Sequence, residues 1–197
     1  MPAHTRRVQE TIQRSRFITT VSHAPGSAVA LQCVKQIKQE FPDATHNCWA
    51  YAAGPPGSTS QVGLSDDGEP HNTAGKPMLT VLLHGGVGEI VAVCTRYYGG
   101  VKLGTGGLSR AYSSGVKLAL DALPTEPKID RVDVEVVTGY ETVGELRSIM
   151  TEMEVIVEGE EYGERVQFRC AVPGVAFEGF SAAVADATSG TGQVTRR

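Results

Sequence analysis

The residues best suited to chemistry lie in a glycine-rich segment between Arg96 and Arg110. Five glycines there permit tight backbone turns, at positions 99, 100, 104, 106 and 107. A strand is predicted before them and a helix after them, and the first N–H groups of a helix carry partial positive charge without an intrahelical acceptor. With Thr105 as the helix cap, the amides of Gly106 and Gly107 would be open to an anion. The segment therefore predicts a phosphate-binding site.

Charged and aromatic side chains accompany these glycines. Arg96, Lys102 and Arg110 would supply full positive charges, and Tyr98 would lie beside them. The segment has no G-x-x-x-x-G-K-[ST] pattern, and the run that begins at Gly104 has no third glycine at the spacing of a dinucleotide fingerprint. A structural turn, in which the glycines are needed only for steric reasons, is the alternative.

A second candidate is the acidic turn that runs from residue 65 to residue 71. Asp66, Asp67 and Glu69 could hold a divalent cation or share acid–base chemistry. Asp-Asp-Gly is also ordinary turn chemistry, and acidic residues just before a helix favour its positive end. The spacing matches no EF-hand loop, so we predict neither a metal nor a cofactor. We expect the turn to line the same groove as the glycines, together with His46, His71 and Lys76.

No nucleophile motif supports a catalytic function. The sequence contains no G-x-S-x-G or H-E-x-x-H pattern. Cys33, Cys48, Cys94 and Cys170 each lie in an apolar run without a C-x-x-C pair, which predicts buried, reduced thiols. We therefore favour a binding protein over an enzyme.

Composition and charge limit the classes of protein. The chain has 197 residues, and none of its apolar runs approaches the roughly 18 residues that a membrane span needs. No secretory signal precedes residue 20, so we predict a cytoplasmic protein. Residues 1–117 carry 11 basic and 7 acidic side chains, whereas residues 118–197 carry 7 and 15. This asymmetry predicts two modules, of which the basic one suits an anionic partner.

The two modules meet near residue 125, where Pro124 and Pro127 interrupt a helical pattern. We predict domains at residues 1–124 and 125–197. In the first, the patterns predict three strands and three helices. The strands are expected at residues 15–22, 47–53 and 89–98, and the helices at residues 27–41, at 74–84 after Thr73, and from 108 onward.

The second module has a regular pattern in the order βαββαβ. Val132, Val134 and Val136 alternate with polar residues, as the strand residues from Val166 to Val172 do, and a closing strand is predicted at residues 193–196. This order over about 70 residues predicts a ferredoxin-like layout, with one antiparallel sheet and two helices on one face. The overall fold class predicted is therefore α/β followed by α+β.

Two long motifs resemble the YigZ/IMPACT family. They run from Asp66 to Pro77 and from Thr95 to Tyr112, and the resemblance covers roughly residues 10–122. It implies an N-terminal α/β domain of the ribosomal-protein type, a βαβ sandwich like domain IV of elongation factor G, and a C-terminal module like that factor's last domain. It also implies a role near translation. Eukaryotic relatives regulate the starvation-responsive initiation-factor kinase through an additional domain, so that partner is not carried over.

Together these observations predict a non-catalytic, translation-associated protein that binds RNA or a ribosome-associated factor. The binding residues predicted are Arg96, Tyr98, Lys102, Gly104, Thr105, Gly106, Gly107 and Arg110, with the acidic turn as the groove wall. The alternatives are a small-molecule enzyme or sensor of a phosphorylated ligand, and a protein-interaction module. Replacing Arg96 and Arg110 by alanine is expected to remove most of the RNA affinity without unfolding the protein. The sequence makes no prediction of the oligomeric state.

Overall fold

The chain divides into two units in a computed structural model, which describes residues 1–197. The first unit spans Met1–Pro127 and the second spans Lys128–Arg197. No helix in either unit combines the length and the apolar character that crossing a bilayer requires.

The first unit contains a five-stranded sheet and three helices. Its neighbouring strands follow the order β1-β2-β5-β3-β4, and every neighbouring pair is antiparallel. In chain order the elements are β1 (Arg6–Ile12), β2 (Ser15–His23), α1 (Ser27–Glu40), β3 (His46–Ala52), β4 (Val62–Ser65), α2 (Gly75–His84), β5 (Ile90–Tyr97) and α3 (Gly104–Asp121).

Strand β5 lies at the centre of this sheet and is buried on both faces. Ile90, Ala92 and Cys94 pack on the side covered by α2 and α3, whereas Val91 and Val93 pack with residues of α1. Burial on two faces explains why the strand reads as a continuous apolar run rather than as an alternation. The end of β5 therefore emerges between fixed layers, and the glycine-rich segment begins there.

The predicted strands and helices of this unit are all present, but two edge strands were missed. Strand β1 carries Arg6, Arg7 and Glu10 among its seven residues, and β4 has only four residues after a loop of glycine, proline and serine. An edge strand buries little apolar surface, so its sequence can be polar and short without losing the hydrogen bonds to its neighbour.

Helix α2 is capped by a side chain from the acidic turn, and the predicted start at Thr73 was wrong. Asp66 Oδ1 accepts hydrogen bonds from the N–H groups of Ala74 and Gly75 at 2.9 Å, and its Oδ2 accepts one from Asn72 N–H at 2.8 Å. The Thr73 hydroxyl instead donates to the carbonyl of Pro70 at 2.6 Å. The acidic turn is thus held against α2 by otherwise unpaired amides of the helix start.

Three of the four thiols are buried, as predicted, and all four are free. Burial raises the pKa of Cys94 to about 12 and that of Cys170 to about 11, and it also raises the pKa of Cys48. These thiols stay protonated at neutral pH and are poor nucleophiles. Cys33 differs from the prediction, because it lies on α1 at the edge of a core cluster and is partly exposed.

The second unit is a four-stranded antiparallel sheet with two helices. Its strand order is β7-β8-β6-β9. Val134 and Phe168 of the sheet pack against Leu146 and Phe180 of the helices in one apolar cluster. The elements are β6 (Arg131–Thr138), α4 (Val143–Glu152), β7 (Ile156–Tyr162), β8 (Val166–Pro173), α5 (Phe177–Ala187) and β9 (Gln193–Arg196).

Replacing the capping carboxylate is expected to destabilise the first unit. Asp66→Asn loses charge-assisted acceptance from the three amides, so we expect the free energy of unfolding to fall by about 1 to 2 kcal/mol. Urea unfolding followed by Trp49 fluorescence measures this, since the chain has 1 Trp and it lies in β3. Asp121→Asn, at an exposed aspartate in the last position of α3, is the matched control and should change little. Equal stability of Asp66→Asn and the wild type would contradict this role.

The same carboxylates predict a loss of stability in acid. Burial opposes ionisation of Asp66 and Asp67, but the amides around Asp66 and the Lys38 ammonium beside Asp67 hold both pKa values below the ordinary 3.8. Their stabilising effect is complete above the unfolded-state value and is lost as the pH falls through the lower folded-state value. We therefore expect the difference in unfolding free energy between the wild type and Asp66→Asn to shrink below about pH 4. A constant difference down to acid pH would contradict the assignment.

Candidate anion-binding site

The site is built around a buried ion pair at the end of β5. Arg96 is 5% exposed, and its NH1 group donates to Oε1 of Glu69 at 2.5 Å. The same carboxylate oxygen accepts a hydrogen bond from the Tyr112 hydroxyl at 2.7 Å, and Arg96 NH2 donates to Ser15 Oγ at 3.2 Å. Four elements of the first unit thus meet here: β2, the acidic turn, β5 and α3.

One nitrogen of the Arg96 guanidinium has no hydrogen-bond partner. Its Nε–H is buried and has no acceptor within hydrogen-bond distance. The guanidinium carbon lies 5.3 Å from the ring centre of Phe17 and 5.5 Å from that of Tyr98, so aromatic faces complete its surroundings. An unsatisfied buried donor is uncommon in folded proteins and calls for a specific reason.

Arg96 lines a pocket of about 330 Å³. Glu69, Arg96 and Lys102 supply its charged groups. Its remaining lining is largely apolar and includes Leu103 and Leu108. The other lining residues are Pro70, Tyr98, Gly104 and Thr105. The pocket therefore combines apolar walls with charges confined to a few positions, as sites for small or flat ligands commonly do.

The amino-terminal end of α3 opens on the pocket, although not in the way predicted. The helix begins at Gly104 rather than near Leu108, with Leu103 as the flanking residue. Thr105 lies inside the first turn and is not the cap, and no side chain caps the helix. The first turn contains no acidic residue. Its amides, including those of Gly104 and Gly106, keep the partial positive charge of an uncapped helix start.

Individual glycines of the segment serve different purposes. Gly100 and Gly104 have φ angles of +82° and +72°, which favour glycine. A Cβ atom at Gly99 would lie 2.0 Å from the carbonyl group of Arg14, so only glycine permits this close approach. Gly107 packs against the Leu103 side chain, 3.0 Å from the position of a Cβ atom. Some of these glycines are therefore needed for steric reasons, and others leave backbone amides open to a ligand, so both interpretations apply at different residues.

Two exposed cations accompany the helix start. Lys102 and Arg110 form no ion pair with any carboxylate. Lys102 lines the pocket, whereas Arg110 lies near it, with its guanidinium 3.6 Å from the Cβ position of Gly106. Unpaired cations beside an uncapped helix start create a locally positive potential.

Of the acidic turn, Glu69 and Pro70 line the pocket, and the preceding residues hold Glu69 from behind. Asp67 accepts hydrogen bonds from Asn47 N–H at 2.7 Å and from Lys38 Nζ at 2.6 Å. His46 Nδ1 lies 2.8 Å from the Asp67 carbonyl oxygen, and its Nε2 lies 4.0 Å from Glu69 Oε2. No group of three or more His, Cys, Asp or Glu side chains is arranged to hold a metal ion. Asp66, Asp67 and His46 are thus structural here.

Two predicted groove residues stand apart from the pocket. His71 is 90% exposed, with its Nδ1 3.9 Å from Asp66 Oδ2, and Lys76 is exposed in the first turn of α2. Neither lines the pocket. The apolar walls Pro70, Leu103 and Leu108, and the network partners Ser15 and Tyr112, were not predicted as site residues. Only their three-dimensional proximity distinguishes them from ordinary core positions.

Comparison with known proteins identifies two matching domains. Residues 13–120 match the model of the Impact N-terminal domain, and residues 136–191 match a domain of unknown function (DUF1949). The first match contains the buried ion pair, the acidic turn and the glycine-rich segment.

Individual relatives match over nearly the whole chain. IMPACT family member YigZ of Escherichia coli is 41% identical over 194 residues, which is 98% of this chain and 95% of the relative. An IMPACT family member of Haemophilus influenzae is 40% identical, covering 92% and 88% of the two chains. A solved structure described as a hypothetical protein has a TM-score of 0.72 at 41% identity, over 98% of this chain and 94% of that chain. With both of its domain models and its full-length relatives in agreement, the chain belongs to the IMPACT family.

Proposed function

We propose that the protein binds RNA, free or in the ribosome, through the pocket at the start of α3, and acts as a non-catalytic regulator near translation. One observation carries the proposal: the uncapped start of α3 and Arg96, whose buried Nε–H has no acceptor, line the same pocket. Both features call for an acceptor that the protein does not supply. A phosphate oxygen is such an acceptor, and helix amino termini commonly bind phosphate.

The remaining pocket residues favour a nucleic acid over inorganic phosphate. Tyr98 is 47% exposed, so one face of its ring is open to stack on a base. Leu103 and Leu108 supply apolar walls against which a base can pack. Lys102 and Arg110 add charges that contact a backbone without reading its sequence. RNA recognition commonly combines these elements on unpaired bases.

The fold comparisons made from sequence belong to the same proposal. The second unit has the strand order β7-β8-β6-β9 with two helices, which supports a ferredoxin-like arrangement. The antiparallel sheet of the first unit, with helices on both faces, supports the likeness to domain IV of elongation factor G. Such a likeness would suit contact with the ribosome, and co-sedimentation with ribosomes is its test.

The size of the pocket favours one second candidate. A volume of about 330 Å³ falls at the lower end for sites that enclose small ligands, so a phosphorylated metabolite would also fit. A thermal-shift screen of nucleotides and sugar phosphates, with and without Mg²⁺, separates the two. A tight small ligand raises the melting midpoint by mass action, whereas RNA binding alone predicts no such rise from a single metabolite.

We expect RNA affinity to depend on Lys102 and Arg110. Fluorescence anisotropy of a labelled single-stranded RNA, at about 50 and about 200 mM salt, should show binding that weakens steeply with salt. Lys102→Ala and Arg110→Ala should each lower the affinity several-fold and reduce the salt slope by about one. Lys117→Ala is the matched control, because Lys117 is exposed on the same helix, about 20 Å from its start and about 10 Å beyond Arg110.

A flat salt response, or equal effects of the three substitutions, would contradict the proposal.

Arg96→Ala is not a suitable probe, although the sequence favoured it. Removing Arg96 leaves Glu69 buried without its cation, which typically costs about 3 to 5 kcal/mol of stability. Its RNA affinity would therefore mix a folding defect with a binding defect.

A further inference from the structure

A further cation, Arg14, lies next to the glycine-rich segment, in the turn between β1 and β2. Gln13 and Arg14 form this turn with φ angles of +45° and +67°. Both side chains are exposed, and Arg14 forms no ion pair. Arg16 follows at the start of β2, but its guanidinium carbon lies 4.3 Å from the ring centre of Tyr97, on the face of the sheet opposite Phe17 and Arg96.

The turn is fixed directly to the glycine-rich segment. Gly99 packs so closely on the Arg14 carbonyl group that no Cβ atom would fit between them. Gly99 N–H donates to Ser15 Oγ at 3.2 Å, and the same oxygen accepts the hydrogen bond from Arg96. The backbone of Arg14 is therefore one residue away from the ion-pair network that forms the pocket.

Arginine at position 14 is conformationally strained in this turn. A two-residue hairpin turn with positive φ at both positions favours asparagine followed by glycine, because a side chain in that region is strained. Arginine at position 14 contributes no hydrogen bond or ion pair to the fold. Strained residues without a structural partner are often explained by function.

We infer that Arg14 extends the pocket into a track for the backbone of single-stranded RNA. The inference rests on the proposed function and specifies its ligand as an extended chain, not a mononucleotide. A nucleotide held at the start of α3, with its base on Tyr98, would lead the next phosphates past Gly99 to the hairpin turn. The exposed Arg14 guanidinium at that turn, which forms no ion pair, matches the charge of those phosphates.

The test compares Arg14→Gly with Gln13→Gly in the full-length chain. Both variants relieve a strained φ angle, but only the first removes a charge. We expect the urea midpoint of each, followed by Trp49 fluorescence, to equal or exceed that of the wild type. For a single-stranded RNA of about 12 nucleotides, Arg14→Gly should bind several-fold more weakly with a salt slope reduced by about one, whereas Gln13→Gly should bind like the wild type.

Two further measurements complete the test. For an RNA dinucleotide, whose single linking phosphate is held at the start of α3 and does not reach the turn, Arg14→Gly should bind like the wild type. Arg14→Lys should restore the affinity for the longer RNA, and Arg6→Ala, at the opposite end of β1, should leave it unchanged. If Arg14→Gly bound the longer RNA as tightly as Gln13→Gly does, the proposed track would be overturned, but the proposed function would not. If Arg6→Ala lost as much affinity for the longer RNA, the effect would come from net charge alone, and the proposed track would again be overturned. A wild type that binds neither RNA would overturn the proposed function itself.

Discussion

The ion pair between Glu69 and Arg96 is the interaction on which the rest of the first unit's site depends. Two charges are removed from water, a cost that their attraction offsets only when neighbouring groups satisfy their remaining hydrogen bonds. Tyr112 from α3 and Ser15 from β2 provide such hydrogen bonds, and only the Nε nitrogen of Arg96 is left without a partner. The pair thereby fixes the acidic turn, β5 and α3 relative to one another. The pocket exists because these elements meet at one buried carboxylate.

The pair also determines which charges a ligand meets. Glu69 neutralises most of the Arg96 charge, so the positive potential at the pocket comes chiefly from the start of α3 and from Lys102 and Arg110. These groups are exposed, and their attraction to a ligand is sensitive to salt. The buried Nε–H instead offers direction, since a hydrogen bond to it requires an acceptor at a defined place. In the proposed function, affinity and orientation would therefore come from different groups of the site.

Sequence patterns predicted the buried strands and the long helices of the fold because burial imposes a clear periodicity. The same reasoning missed β1 and β4, because an edge position imposes little periodicity on the sequence. It also placed the start of α3 near Leu108, four residues late. The glycines suggested a loop there, whereas packing of Leu108 and Tyr112 extends the helix back to Gly104. Helix starts are decided by tertiary contacts as much as by local preference.

The site was predicted by residue type but not by role. Tyr98, Lys102, Gly104 and Arg96 line one pocket, yet Arg96 faces inward to Glu69, and Asp66 caps a helix. A list of charged residues cannot distinguish a cation that awaits a ligand from one already paired with a buried carboxylate. That distinction depends on distances between elements that are remote in sequence, such as the 27 residues between Glu69 and Arg96.

The most direct test of the central claim is an NMR titration of the full-length protein, with ¹⁵N in glycine and arginine, by a short single-stranded RNA. We predict that the largest shifts fall on the amides of Gly104 and Gly106 and on the Arg96 Nε–H resonance. Gly190 and Gly192 of the second unit serve as internal references and should not move. Shifts confined to glycines outside the pocket, with the Arg96 Nε–H resonance unchanged, would contradict the claim that this donor and the start of α3 bind the ligand together.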